Sequence, residues 1–189
     1  LAALRAVNNI QIIVPADNFE TREAIRYAAT AERPVYVRFG KAAMYHLSGD
    51  GTTGDFTVGR ARVLREGSDV AFIANGETVI HALLAAAQLE TAGISARVLS
   101  LHSVKPLDTA AVLAAGRECQ AVVTVEEHLI NGGVGDAVAA TLLEAGLAPK
   151  FRRVGIPDED TVTGAQADIF RHYGISMEGL GQTARDLLA

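Results

Sequence analysis

The sequence predicts an α/β protein: a mostly parallel sheet with helices on both faces, three layers in all, preceded by part of another α/β unit. Two observations carry this. From residue 69 onward apolar strand-like runs alternate with helix-periodic segments, and the runs are apolar throughout, as strands covered on both faces are. Glycine, serine and threonine gather in "KAAMYHLSGDGTTGDFTVG", which reads as a linker with little regular structure.

Before that linker, "NNIQIIVPADNFETREAIRYAAT" reads as strand, turn and helix. The β-rich run Ile10 to Val14 is stopped by Pro15. Asp17 is placed as an N-cap with Glu20 completing a capping box. A second strand is expected near Val35 to Phe39 in "RPVYVRFG". After the linker, "DVAFIANG" is a strand running into a glycine. "ETVIHALLAAAQLETAG" is a helix ending at Gly93. "SARVLSL" is a strand, and "LDTAAVLAAGREC" a short helix capped by Asp108. "QAVVTVEE" is an apolar central strand and "GGVGDAVAATLLEAG" a helix. "KFRRVGI" is a strand whose charged flanks suit an edge. Two helices close the chain, "AQADIFRHYG" and "SMEGLGQTARDLLA", the second capped by Ser176. The segment 1–48 is too small to bury a core alone, so its apolar surface around Ile12, Val14 and Val37 is expected to be exposed.

Of the 189 residues, 49% are hydrophobic and 21% charged, enough for a good core, and the formal net charge is −5 without a basic cluster. Nucleic acid and anionic membranes are poor partners for such a chain. No apolar run is long enough for a membrane span, and no stretch reads as a signal peptide. The single Cys119 forms no internal disulfide, and no Cys/His spacing suggests zinc. A reducing, cytoplasmic setting is expected. The chain begins at Leu1 rather than Met, which points to a cut product or an absent front part.

In a doubly wound sheet, ligands bind beyond the carboxyl ends of the strands. "VEEHLINGGVG" is at such a place. Glu126, Glu127 and His128 could do acid–base chemistry, or the glycines could cradle a phosphate, or the segment could be a structural turn facing a neighbouring subunit. The dinucleotide fingerprint is poor, because Val138 stands at its third glycine position. Gly49-Asp50-Gly51 resembles the start of a thiamine diphosphate motif, but no apolar helix follows, and it reads as linker. Arg38 and Lys41 stand at the carboxyl end of a predicted strand. They could hold an anion, or be ordinary surface cations. His46, His81, His102 and His172 are unremarkable by spacing.

Four ordered segments together resemble the transketolases. "IIVPADNFETREAIRYAA" followed by "RPVYVRFGK" is similar to the end of their pyrimidine-binding domain. "LHSVKPLD" and "TVEEHLINGGVGDAVA" resemble parts of their carboxy-terminal domain. "VGIPDEDTVTGAQADIFRHYGISMEGL" resembles the terminal part of transketolases and 1-deoxyxylulose-5-phosphate synthases. The beta subunits of 2-oxo acid dehydrogenases share the middle elements but end differently. The resemblance implies a pyrimidine-domain remnant over 1–48 and a transketolase C-terminal domain over 49–189. It implies a thiamine diphosphate and Mg²⁺ enzyme that moves two-carbon ketol units between sugar phosphates. The diphosphate-binding domain and the activating glutamate are not among these residues. This chain alone is therefore expected to be inactive, to bind no cofactor, and to need an N-terminal transketolase part or subunit as partner. A homodimer through the carboxy-terminal domain is also implied, with Glu126, Glu127 and His128 as an interface loop and no catalytic or metal-binding residue. Lys41 stands where the family carries an arginine that contacts substrate phosphate, and Arg38 precedes it as in deoxyxylulose phosphate synthases. The alternatives are a part of such a synthase or of a 2-oxo acid dehydrogenase beta subunit, or a non-catalytic dimerisation or regulatory domain.

Overall fold

The structure is a computed structural model that describes residues 1–40, 45–47 and 55–189. Four mutually parallel strands make up most of the larger sheet: β4 (Val70–Ala74), β5 (Ala96–Ser100), β7 (Ala121–Leu129) and β8 (Lys150–Ile156). β3 (Arg62–Arg65) joins antiparallel to β5, and the order is β3-β5-β4-β7-β8. β4 is buried at every residue, as its wholly apolar sequence requires. Its side chains alternate between two cores. Val70, Phe72 and Ala74 face one, under α3 (Thr78–Glu90) and α7 (Met177–Leu188); Ala71 and Ile73 face the other, under α4 (Thr109–Glu118) and α5 (Val134–Glu144). This is the three-layer α/β/α arrangement with a mainly parallel sheet that the sequence predicts. The short α6 (Gln166–His172) adds Phe170 to the first core. The edge position of β8 agrees with its charged flanks.

Helix starts follow the expected caps. Asp17 accepts the Glu20 amide at 2.7 Å to open α2 (Asn18–Thr30); Asp108 accepts the Ala111 amide at 3.0 Å, and Ser176 that of Gly179 at 3.2 Å. Three elements are additional to the sequence reading: α1 (Ala2–Ala6), β3 and β6 (Ser103–Lys105). Each is five residues or fewer, and β6 has no apolar alternation. Their positions depend on distant partners rather than on local pattern.

β6 matters most for the architecture. It pairs antiparallel with β1 (Gln11–Ile13), which pairs parallel with β2 (Val35–Val37), giving a second sheet ordered β2-β1-β6. The expected exposure of Ile12 and Val14 is thereby corrected. They are 0% and 1% exposed, because the second core of the large sheet closes over them; Val37 is half-buried. The expected boundary at residues 48 and 49 falls at the edge of 48–54, outside the described residues.

A buried polar network fixes the same seam. Glu20 accepts the Ala16 amide at 2.7 Å, the Ser100 hydroxyl at 2.7 Å and Arg62 Nη1 at 2.8 Å, all out of solvent. His102, unremarkable in sequence, is fully buried here. Its ring stacks on Phe56 with centroids 4.5 Å apart, and Nε2 stands 3.2 Å from the Thr57 carbonyl. Burial holds its pKa below the usual imidazole value, although Glu20 pulls the other way.

Candidate functional site at the crest of the sheet

The chain runs from β4 to β5 on one side, then returns to β7 on the other. The sheet therefore has its topological switch between β4 and β7, and their carboxyl ends form the crest where such folds place ligands. Glu126, Glu127 and His128 are at this crest, but they are not in a turn. β7 continues through them to Leu129, with an irregular register against β8 after Val125. Because strand side chains alternate, Glu126 and His128 face one way and Glu127 the other.

Glu126 turns toward α5. Its fully buried carboxylate accepts the Val134 amide at 2.7 Å and the Gly135 amide at 2.9 Å, satisfying two free donors of the helix start. Desolvation nevertheless dominates and pushes its pKa up to about 6, against the lowering effect of those two amides. His128 stands on the same face, with Nε2 3.3 Å from Glu126 Oε2. Burial lowers the His128 pKa. Its Nδ1 is 2.9 Å from the Leu129 carbonyl, which can only accept, so Nδ1 carries the proton in the neutral ring.

The glycine turn between β7 and α5 is fastened from three sides. Arg5 of α1 donates to the carbonyls of Gly132 and Gly133, both at 2.7 Å; the Gly132 amide donates to Asp136 at 2.6 Å; and Arg153 of β8 pairs with Asp136. Gly132 has φ +76°, and at Gly133 a Cβ would lie 1.9 Å from Glu126 Oε2. Arg5, Asp136 and Arg153 were not singled out in the sequence. Asp136 carried a usable signal, an acidic residue in the first turn of a helix.

Glu127 turns toward the chain that follows β2, where it pairs with Arg38. The Arg38 amide donates to the Ile13 carbonyl at 2.8 Å, so the arginine is anchored at both ends. Two residues on, Gly40 passes so close to Glu77 that a Cβ there would overlap its carboxylate, and Glu77 also accepts from Gln166. The structure thus joins Arg38 to Glu127, a pairing invisible in the sequence. Lys41 lies outside the described residues, as do Gly49, Asp50 and Gly51.

The crest keeps unspent hydrogen-bonding capacity. Asn75, directly after β4, is fully buried, and among the described residues neither polar atom of its amide has a hydrogen-bond partner; nor does Glu77 Oε1. Unmet buried polar atoms suit a surface completed by something else. Among the described residues, no group of three or more His, Cys, Asp or Glu could hold a metal ion, and no helix is long and apolar enough to cross a membrane. Cys119 is free and buried.

The fold and its crest define a doubly wound α/β domain whose charged residues gather where β4 and β7 part. Residues 59–180 match the family described as transketolase, C-terminal domain, and the chain belongs to that family. It is 39% identical to one of the subunits of the apulose-4-phosphate transketolase of Phocaeicola vulgatus, over 100% of this chain and 59% of that protein. It is 38% identical to a 1-deoxy-D-xylulose-5-phosphate synthase of Thermomicrobium roseum, over 100% of this chain and 30% of that one. A solved structure described as a split gene transketolase, inactive β4 tetramer, superposes with TM-score 0.91 at 37% identity, over 100% of this chain and 61% of its own. A transketolase from Pichia stipitis shares the fold at TM-score 0.69 and 20% identity, over 99% of this chain and 26% of that one. The chain spans 59% of the length of the first of these relatives.

Proposed function

We propose that this chain is the C-terminal part or small subunit of a thiamine diphosphate- and Mg²⁺-dependent transketolase, which moves two-carbon ketol units between sugar phosphates. The observation that carries this reading is the 39% identity, along the whole chain, to one of the subunits of an apulose-4-phosphate transketolase. Thiamine diphosphate supplies the electron sink for such a reaction. In this reading cofactor binding is assigned to a partner part or subunit carrying the diphosphate-binding domain. The chain alone is inactive in this reading. The description of a related split enzyme's β4 tetramer as inactive supports that.

In the same reading, residues 1–48 complete a pyrimidine-binding domain and 49–189 form the C-terminal domain. The enzyme is cytoplasmic and assembles as a homodimer. Glu126, Glu127 and His128 shape the crest near that interface, and Arg38 with Lys41 hold the phosphate of a sugar substrate. The identity to a deoxyxylulose phosphate synthase supports a second reading, in which the whole protein is an enzyme of that type.

Reconstitution is the test. This chain, mixed with a cofactor-binding partner, is expected to transfer a ketol unit from a ketose phosphate, with apulose 4-phosphate the first donor to try. Calorimetry should detect no thiamine diphosphate binding to the chain by itself. Micromolar binding by the isolated chain would overturn the assignment of the cofactor to the partner.

A further inference from the structure

Glu127 is a charged side chain only 7% exposed, and among the described residues it forms its ion pair with the Arg38 guanidinium. Strand alternation forces this direction, since Glu126 and His128 are committed to the opposite face of β7. Arg38 retains 29% exposure of its side chain and a backbone fixed to Ile13. A guanidinium has five N–H donors in a rigid plane, and Nη1 is the nitrogen that meets Glu127.

We propose that Glu127 is a positioning residue: it clamps the Arg38 guanidinium by one nitrogen, so that its remaining N–H groups face a substrate phosphate. This rests on the phosphate reading of Arg38 given above. The carboxylate weakens the net attraction for an anion, but it holds a long side chain that would otherwise lose rotamer freedom on binding. Fixed geometry matters most for an arginine fork on phosphate.

Kinetics in the reconstituted enzyme test this, with a sugar phosphate and its dephosphorylated counterpart compared. Glu127→Ala should raise KM for the phosphorylated sugar about tenfold with kcat little changed, and leave the unphosphorylated sugar unaffected. Glu127→Gln should restore KM, because its amide oxygen still accepts from Arg38. Glu127→Ala combined with Arg38→Ala should be no worse than Arg38→Ala alone, because Glu127 acts through Arg38. A lower KM in Glu127→Ala would mean that the carboxylate competes with phosphate, and an equal loss on both sugars would mean a structural role; either overturns the proposal. An unchanged KM in Arg38→Ala would instead overturn the phosphate reading beneath it. Titrating the chain itself with inorganic phosphate, observed at the Arg38 guanidinium by NMR, gives the same division without turnover. Glu127→Ala should weaken the response about tenfold, and absence of any wild-type response would again remove the phosphate reading.

Discussion

Glu126 and His128 stand two residues apart on β7, and His128 Nε2 meets Glu126 Oε2 at 3.3 Å. With the His128 proton on Nδ1, a lone pair faces a buried carboxylate. Such a pair is more stable with one proton between its members than with none. Burial is the main cause both of the raised Glu126 pKa and of the lowered His128 pKa.

The pair makes stability depend on pH. Glu126 titrates at about 6 when folded, against 4.5 ordinarily. Between those values the folded protein holds a proton that the unfolded chain has released, so this group's contribution falls as pH rises through the window. Above it, the cost is about 2 kcal/mol. The buried histidines act in the opposite direction, so the difference between wild type and Glu126→Gln isolates the glutamate. Urea unfolding from pH 4.5 to 7.5 should show Glu126→Gln gaining about 2 kcal/mol on wild type across the range. A constant difference would mean that Glu126 does not titrate there.

Gly133→Ala should destabilise the protein by about 2–3 kcal/mol. The new Cβ, 1.9 Å from Glu126 Oε2, pushes away a carboxylate held by two amides. Thermal unfolding is the measurement. In Gly133→Ala combined with Glu126→Ala the clash is gone, and the two losses should be clearly less than additive.

Glu20→Ala should cost about 3–5 kcal/mol. It strips a buried ionic partner from Arg62 and leaves the Ser100 hydroxyl and the Ala16 amide without their acceptor. Chemical denaturation measures the loss, and a cost near that of a surface ion pair would show that water or Asp17 takes over the role.

Lys41→Ala in the reconstituted enzyme should raise KM for phosphorylated substrates with little effect on kcat, by about tenfold for one charge-assisted hydrogen bond. Lys41→Arg should tighten that binding, since an arginine fork can take two phosphate oxygens. Equal effects on phosphorylated and unphosphorylated sugars would assign Lys41 to structure instead.

Local chemistry in the sequence was enough for the caps at Asp17, Asp108 and Ser176 and for the apolar strands β4, β5 and β7, because those signals lie within a few residues of what they specify. The capping role of Asp17 was legible, but not the further commitment of Glu20 to Arg62 and Ser100, which are brought to it by the fold. The same holds for Glu127 and Arg38, whose types are unremarkable until two sheets bring them together. Reading "EEHLINGG" as a turn gave way because the parallel register with β8 is resumed at Leu129, beyond the carboxylates.

The pairing of β6 with β1 has a consequence for how such a protein can be divided. A nick anywhere between Leu47 and Asp55 would leave two pieces that share a sheet, a core through Ile12 and Val14, and the Glu20–Arg62 network. They would stay associated and co-purify until denatured. A gene boundary placed at the same point would oblige two separately made chains to find one another through an incomplete sheet. A workable division of the coding sequence therefore falls upstream of β1, so that the first short sheet travels with the domain that completes it.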